Sequence, residues 1–157
     1  MGIIYLSGKN KLPVLIDDED LEKVSKFRWY LHRNGYAVRN RSNLETSTKI
    51  PLKMHRLILN TPTNLTTDHI NHNKLDNRKK NLRICTRIQN NFNRKRKSNN
   101  TSGLKGVHFS KVTGKWMARV GANGIRHYLG VFETKEEAFE AYKVAAQKYH
   151  GEFVNLS

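Results

Sequence analysis

The chain has 157 residues and carries 29 Lys and Arg against 13 Asp and Glu, a formal charge of +16. That length suits one ordinary domain or two to three small ones, and the charge makes a polyanion, nucleic acid first, the expected partner rather than a small-molecule substrate. One cysteine, Cys85, excludes an internal disulfide and a multi-cysteine zinc site; no apolar run nears a membrane span, and Met1-Gly2-Ile3-Ile4-Tyr5 lacks the charged start of a signal peptide. A soluble, intracellular protein with no membrane partner is expected.

Residues 3–6 and 12–16 are β-prone runs around Ser-Gly-Lys-Asn, which predicts a hairpin. The carboxylates of Asp17 to Asp20 then precede Leu21, Val24 and Phe27, whose spacing of three predicts a short helix with acidic groups at its N-terminus. Trp29, Leu31, Tyr36 and Val38 predict a strand pair around Arg33-Asn34-Gly35, because Asn-Gly supplies positive φ cheaply. Phe27, Trp29 and Tyr36 are assigned to the core. Residues 50–54 are expected to be extended, and residues 55–59 to form a helical turn or two ending before Thr61-Pro62. His55 reads as a helix-end histidine.

From Thr66 the pattern becomes strand, loop, strand, helix: residues 67–70, an Asn-rich loop, residues 82–85, then residues 87–93 behind Thr86 as cap, with Ile88 and Phe92 on one face. The charge concentrates here, since residues 51–98 hold 12 basic and 2 acidic side chains, against 9 and 6 in residues 1–50 and 8 and 5 in residues 99–157. Residues 94–103 are basic, then polar, and read as a linker with a boundary near 98. Strands are expected over 105–109, 115–120 and 127–132. A helix follows over 135–150, with Thr134 and Glu137 as capping box, Gly151 as its end, and Ala138, Ala141, Tyr142, Ala145 and Tyr149 as its packing stripe. The fold class expected is α+β.

Cutting a phosphodiester needs an activated water, charge relief on the phosphate and stabilisation of the leaving oxygen. A neutral imidazole supplies the first, and a hard cation held by oxygen ligands the other two. Asp68 and His69 are adjacent on a strand, so their side chains leave on opposite faces and serve ion and base separately only if the strand end twists. Asn90, on the following helix, has a carboxamide oxygen to offer the same ion.

Asp68-His69, Asn71, Asp76-Asn77-Arg78, Asn81-Leu82-Arg83 and Gln89-Asn90-Asn91-Phe92-Asn93, preceded by Met54-His55-Arg56-Leu57-Ile58, resemble an HNH homing endonuclease of the phage and mobile-intron kind. That resemblance implies a ββα-metal finger in which His69 is the general base, Asp68 and Asn90 hold Mg²⁺ or Mn²⁺, and Asn81 braces the turn and orients the base. Many relatives carry His where Asn90 stands. His72 reads as a loop residue.

Residues 100–156 carry a second resemblance. Ser102-Gly103-Leu104-Lys105-Gly106-Val107, Gly114-Lys115-Trp116-Met117-Ala118, Tyr128-Leu129-Gly130-Val131-Phe132, Glu137-Ala138 and Ala141-Tyr142 are similar to an AP2/ERF DNA-binding domain, whose three-stranded sheet enters the major groove. His108 and Arg119 depart from the plant pattern. Lys105, Lys115, Trp116, Arg119 and Arg126 are the expected sheet contacts, Trp116 being equally assignable to the core, and Arg83, Arg87, Arg94, Lys95, Arg96 and Lys97 the expected phosphate contacts.

The resulting organisation is an N-terminal α+β region over 1–53, a nuclease core with basic linker over 54–98, and an AP2-like module over 99–157. The function expected is metal-dependent hydrolysis of double-stranded DNA by a protein encoded in a phage or mobile element of a bacterial host. A non-catalytic AP2-type DNA-binding regulator is the alternative, and an RNA-binding protein a second.

Overall fold

In the computed structural model, which describes residues 1–9, 11–42, 49–96 and 98–157, the chain divides into two units, Met1–Arg87 and Ile88–Ser157. The expected boundary near residue 98 lies inside the second of these.

The first unit opens with the hairpin that the turn residues predict: β1 (Gly2–Tyr5) and β2 (Pro13–Ile16) pair antiparallel, with Gly2 opposite Ile16 and Tyr5 opposite Pro13. Pro13 takes the first place of its strand, where a missing N–H is tolerated. The acidic run forms a 3-10 turn that leads into α1 (Leu21–Ser25). β3 (Tyr30–Leu31), β4 (Ala37–Ser42) and β5 (Lys49–Lys53) make an antiparallel sheet in that order, and Gly35 carries the turn between the first two at φ +81°. Met54, expected in the strand, instead opens α2 (Met54–Ile58), and its side chain is fully buried.

β6 (Thr66–His69) and β7 (Leu82–Cys85) then pair antiparallel, placing Asp68 opposite Arg83 and His69 opposite Leu82. Ile70 is outside the strand, because Asn81, the residue opposite it, accepts its N–H at 2.9 Å but gives its own N–H to the Arg78 carbonyl at 2.9 Å. Leu82 joins Leu6, Val14, Ile16, Val24, Trp29, Met54 and Ile58 in one core, so the hairpin, both helices and the strand pair bury their apolar faces together. Trp29 satisfies its indole by donating to the carbonyl of Val24 at 2.8 Å. Phe27 is only partly buried against this core, and Tyr36 lies beside His55 and His69. The loop between β6 and β7 is pinned to the hairpin from both sides of Leu15, whose N–H donates to Leu75 (2.9 Å) and whose carbonyl accepts from Asn77 (2.8 Å).

Across the division runs α3 (Arg87–Phe92), on which Ile88 is 49% exposed rather than packed. The second unit has one antiparallel sheet, β10-β9-β8, made by β8 (Val107–Ser110), β9 (Lys115–Ala122) and β10 (Ile125–Phe132). Ala118, Val120 and Ala122 alternate inward along β9, while Lys115, Arg119 and Gly121 face outward. α4 (Lys135–His150) covers the inner face and starts with the expected capping box between Thr134 and Glu137. Its buried residues are Ala138, Tyr142, Ala145, Ala146 and His150. Steps of four from Ala138 through Tyr142 and Ala146 reach His150, and the helix buries this row to its end rather than the row from Ala145 to Tyr149. Tyr149 therefore sits at the rim, 38% exposed and stacked on His127 at 4.4 Å.

β8 begins two residues later than expected, because Gly106 is occupied in a close approach to α4. Its φ is +74°, and a Cβ there would lie 2.1 Å from the Tyr142 ring and 2.7 Å from the Arg119 carbonyl. Lys105 is thereby left in the loop before the sheet. Among the described residues no helix is long and apolar enough to cross a membrane.

Candidate functional site

In the first unit the polar groups gather where β6, the loop after it, β4 and α2 meet. Asp68 and His69 are 6% and 5% exposed. They diverge as neighbours on a strand must. The Asp68 carboxylate receives Arg83 across the strand pair, with Nε at 3.0 Å and Nη2 at 2.8 Å from the same Oδ2. Arg83, expected to touch phosphate, here orients the carboxylate.

His69 turns the other way. Its Nε2 lies 3.0 Å from Asn77 Oδ1, while the Asn77 amide nitrogen points to the Met54 sulfur at 3.7 Å. The carboxamide thus offers its oxygen to the imidazole, His69 donates through Nε2, and the neutral ring carries its lone pair on Nδ1. Burial pushes the His69 pKa down from the usual histidine range, with Lys74 adding to the effect and Asn77, Asp68 and Asp76 opposing it. A neutral imidazole is the form that can accept a proton.

Two further rings enclose it. His55 stands edge-on at 4.9 Å between centroids, and Tyr36 lies 5.8 Å away. His55 is buried, which pushes its pKa down to about 2, with the charges of His69, Lys53 and Arg56 adding to the effect. Its α2 position is as expected, but it faces His69 rather than merely ending a helix. The Lys53 and Lys74 ammonium groups approach the Tyr36 ring at 4.6 and 4.9 Å, setting two cations beside the site.

Asn81 staples the loop. Its Oδ1 accepts from the Asn71 N–H (2.9 Å) and its Nδ2 donates to the Asp76 carbonyl (2.7 Å). Asp76 is held by Arg78 through both carboxylate oxygens at 2.7 Å and by Asn71 at 3.0 Å. The Arg78 hydrogen bonds keep its carboxyl below the usual range, Asn71 helping and burial opposing. The direct contact to the imidazole belongs to Asn77, which sequence reasoning left without a role. Its signal is an Asn eight residues after His69 in a loop crowded with Asn, too weak to separate it from its neighbours. His72 is a half-buried loop residue at φ +64°. Burial pushes the Cys85 thiol up to about 11, so it stays protonated.

Among the described residues no three His, Cys, Asp or Glu side chains gather as a metal-binding group. The donors expected for a cation, the Asp68 carboxylate and the Asn90 carboxamide, are oxygens, which suits a hard ion such as Mg²⁺ that keeps most of its water and takes phosphate oxygens. Asn90 is half-buried on α3, in the second unit.

In that unit the outer face of the sheet presents Arg119 and Arg126, both exposed, with Tyr128 opposite Arg119 and itself 56% exposed. Tyr128 is a candidate contact that sequence reasoning passed over, although alternation along β10 sets it beside Arg126. Lys115 is exposed and ion-paired to Glu133. Trp116 has the parity of Ala118 and packs against the Val107, Ala118 and Ala138 cluster, edge-on to Phe109 at 5.2 Å. Lys105, expected on the sheet, instead gives its ammonium to the carbonyls of Phe92 (3.1 Å), Arg94 (2.6 Å) and Asn155 (2.8 Å). Arg94, Lys95 and Arg96 are exposed, as is Arg87 at the start of α3, and Lys97 lies outside the described residues.

Comparison with known proteins gives two groups of relatives. The chain is 36% identical over 136 residues to an uncharacterized HNH endonuclease of Acanthamoeba polyphaga mimivirus, covering 83% of this chain and 66% of that protein, just under two thirds of its length. It is 34% identical over 89 residues to Protein 3.8 of Escherichia phage T7, covering 57% of this chain and 73% of that protein. A 56-residue stretch, 34% of this chain, is 45% identical to an AP2-like ethylene-responsive transcription factor of Arabidopsis thaliana, of which it covers 10%. No family model and no solved structure matches the chain.

Proposed function

The chain is an HNH endonuclease homologue with an AP2/ERF-like C-terminal region, and from that premise we propose that it is a metal-dependent endonuclease of the homing type acting on double-stranded DNA. The observation that carries the reading is the His69 imidazole, buried, kept neutral and hydrogen-bonded through Nε2 to Asn77, which makes Nδ1 the proton acceptor.

In this reading β6, β7 and α3 are the ββα finger. His69 Nδ1 takes a proton from water as the resulting hydroxide attacks phosphorus, and the bond from phosphorus to one sugar oxygen breaks. Asp68 would hold the divalent cation, Mg²⁺ or Mn²⁺, whose chemistry is charge relief at the phosphate and the departing oxygen. Arg83 keeps the Asp68 carboxylate oriented. Asn81 keeps the loop folded so that Asn77 meets the imidazole. Lys53 and Lys74 attract the backbone phosphates. The C-terminal unit binds duplex DNA through Arg119, Arg126 and the exposed cations before the sheet.

The test is incubation of the full chain with a mixed duplex DNA library in Mg²⁺, in Mn²⁺ and in EDTA. Nicks or double-strand breaks with either cation, abolished by EDTA, are expected. Cutting that is undiminished in EDTA overturns the reading, and duplex binding without metal-stimulated cleavage of any DNA favours the non-catalytic regulator.

A further inference from the structure

We propose that Lys105 is a positioning residue that fastens residues 92–96 to the C-terminal unit and thereby presents Arg94, Lys95 and Arg96 as a fixed cationic edge for the phosphates of duplex DNA. The proposal rests on the reading of that unit as DNA-binding.

A lysine ammonium has three donors and no acceptor. At Lys105 all three meet backbone carbonyls, those of Phe92, Arg94 and Asn155. These come from two segments some sixty residues apart, so one side chain clasps the stretch entering the unit to the stretch that leaves it.

Three more contacts close the same clasp. The Asn155 side-chain amide donates to the Asn93 carbonyl at 2.8 Å, and the Arg96 N–H donates to the Ser157 main-chain oxygen at 2.9 Å. The Phe92 ring stacks on His150 at 3.9 Å with 12° between planes, and His150 Nε2 in turn donates to the Gly121 carbonyl on β9 at 2.8 Å. The backbone of this basic stretch is therefore bonded to the unit, while the side chains of Arg94, Lys95 and Arg96 stay exposed.

A direct phosphate contact needs an ammonium donor to spare, and the three of Lys105 are all on backbone carbonyls. The ammonium is half-buried, and burial pushes its pKa down, an arrangement that suits a strut rather than a contact. A free basic linker must lose chain entropy when it settles on phosphates, whereas a clasped one meets them already ordered.

The experiment uses the full chain with His69→Ala, so that binding is read without cleavage. Duplex affinity is measured over a range of salt, with and without Lys105→Met. Each phosphate contact contributes about 0.9 to the slope of log affinity against log salt. The clasp predicts a fall in slope of about 2 to 3, the loss of two or three contacts of the edge although Lys105 itself touches no phosphate, and at least a tenfold loss of affinity near 0.1 M salt. A fall of about 0.9 makes Lys105 a direct contact, and no fall makes it neither; both overturn the presentation of the edge. Amide hydrogen exchange reads the clasp itself. The Arg96 N–H is slow in the parent chain and becomes fast with Lys105→Met while the α4 amides stay slow, which also establishes that the variant is folded. Asn155→Ala, which removes no lysine, is expected to speed the same amide and lower the slope. Unchanged Arg96 exchange in both variants overturns the clasp. If the parent chain binds no duplex DNA at all, the functional reading and the DNA half of the proposal fall together, while exchange still decides the clasp.

Discussion

Lowering the pH from 7 to 5 is expected to cost the first unit about 2 kcal/mol through His55 alone. His55 is 3% exposed, and burial, reinforced by the charges of His69, Lys53 and Arg56, pushes its pKa down to about 2. In the unfolded chain the same imidazole titrates near 6.5. Between those values the unfolded state binds a proton that the folded state refuses, so the stabilisation is full above about pH 6.5 and is lost as pH falls toward the folded value. Linkage gives about 1.36 kcal/mol per pH unit once the unfolded imidazole is protonated, hence about 2 kcal/mol over this interval. With a urea dependence of about 1–3 kcal/mol per molar, the midpoint drops by roughly 1 M. His69, also shifted down, contributes in the same direction. Urea unfolding followed by Trp29 fluorescence in a Trp116→Phe background reads the first unit. His55→Leu, whatever its absolute stability, is expected to flatten the profile by about 2 kcal/mol between the two pH values. Profiles that run parallel with and without His55 would refute the assignment of a buried, neutral histidine.

Three further outcomes follow from the same contacts. Asn77→Ala removes the acceptor of His69 Nε2 and is expected to lower cleavage by about 10²-fold, with a stability loss of about 1–3 kcal/mol measured by urea; wild-type cleavage would remove Asn77 from the account. Gly106→Ala forces a Cβ into the Tyr142 ring at positive φ and is expected to cost the second unit about 2–4 kcal/mol, read by Trp116 fluorescence during unfolding. Thr134→Ala opens the capping box of α4 and is expected to cost about 1 kcal/mol in the same assay.

The elements legible in the sequence are those whose signals are local. Turn residues announce the β1–β2 hairpin, Asn34-Gly35 the turn into β4, and Thr134 with Glu137 the start of α4. Asp68 and His69 stand out because a carboxylate and an imidazole sit together in basic surroundings. What escaped depends on segments remote in sequence. Asn77 reaches His69 from a backbone tied to Leu15 on β2, and nothing near Asn77 encodes that tie. Lys105 looks like the first residue of a strand, yet the acceptors of its ammonium include Phe92 and Asn155. At Tyr149 the stripe of α4 was misread by one residue, because the neighbour, His150, is a polar residue that finds its partner on β9. For Trp116 composition alone balances core against contact, and strand parity with Ala118 turns it inward.

His69 stands in this reading as the base of a DNA-cutting site. Cleavage of one duplex substrate by the parent chain and by His69→Ala, in the same Mg²⁺ buffer and with DNA binding measured alongside, tests it most directly. Equal binding is expected, with a loss of cleavage rate of about 10²–10⁴-fold in His69→Ala. Equal cleavage by the two proteins would contradict that role.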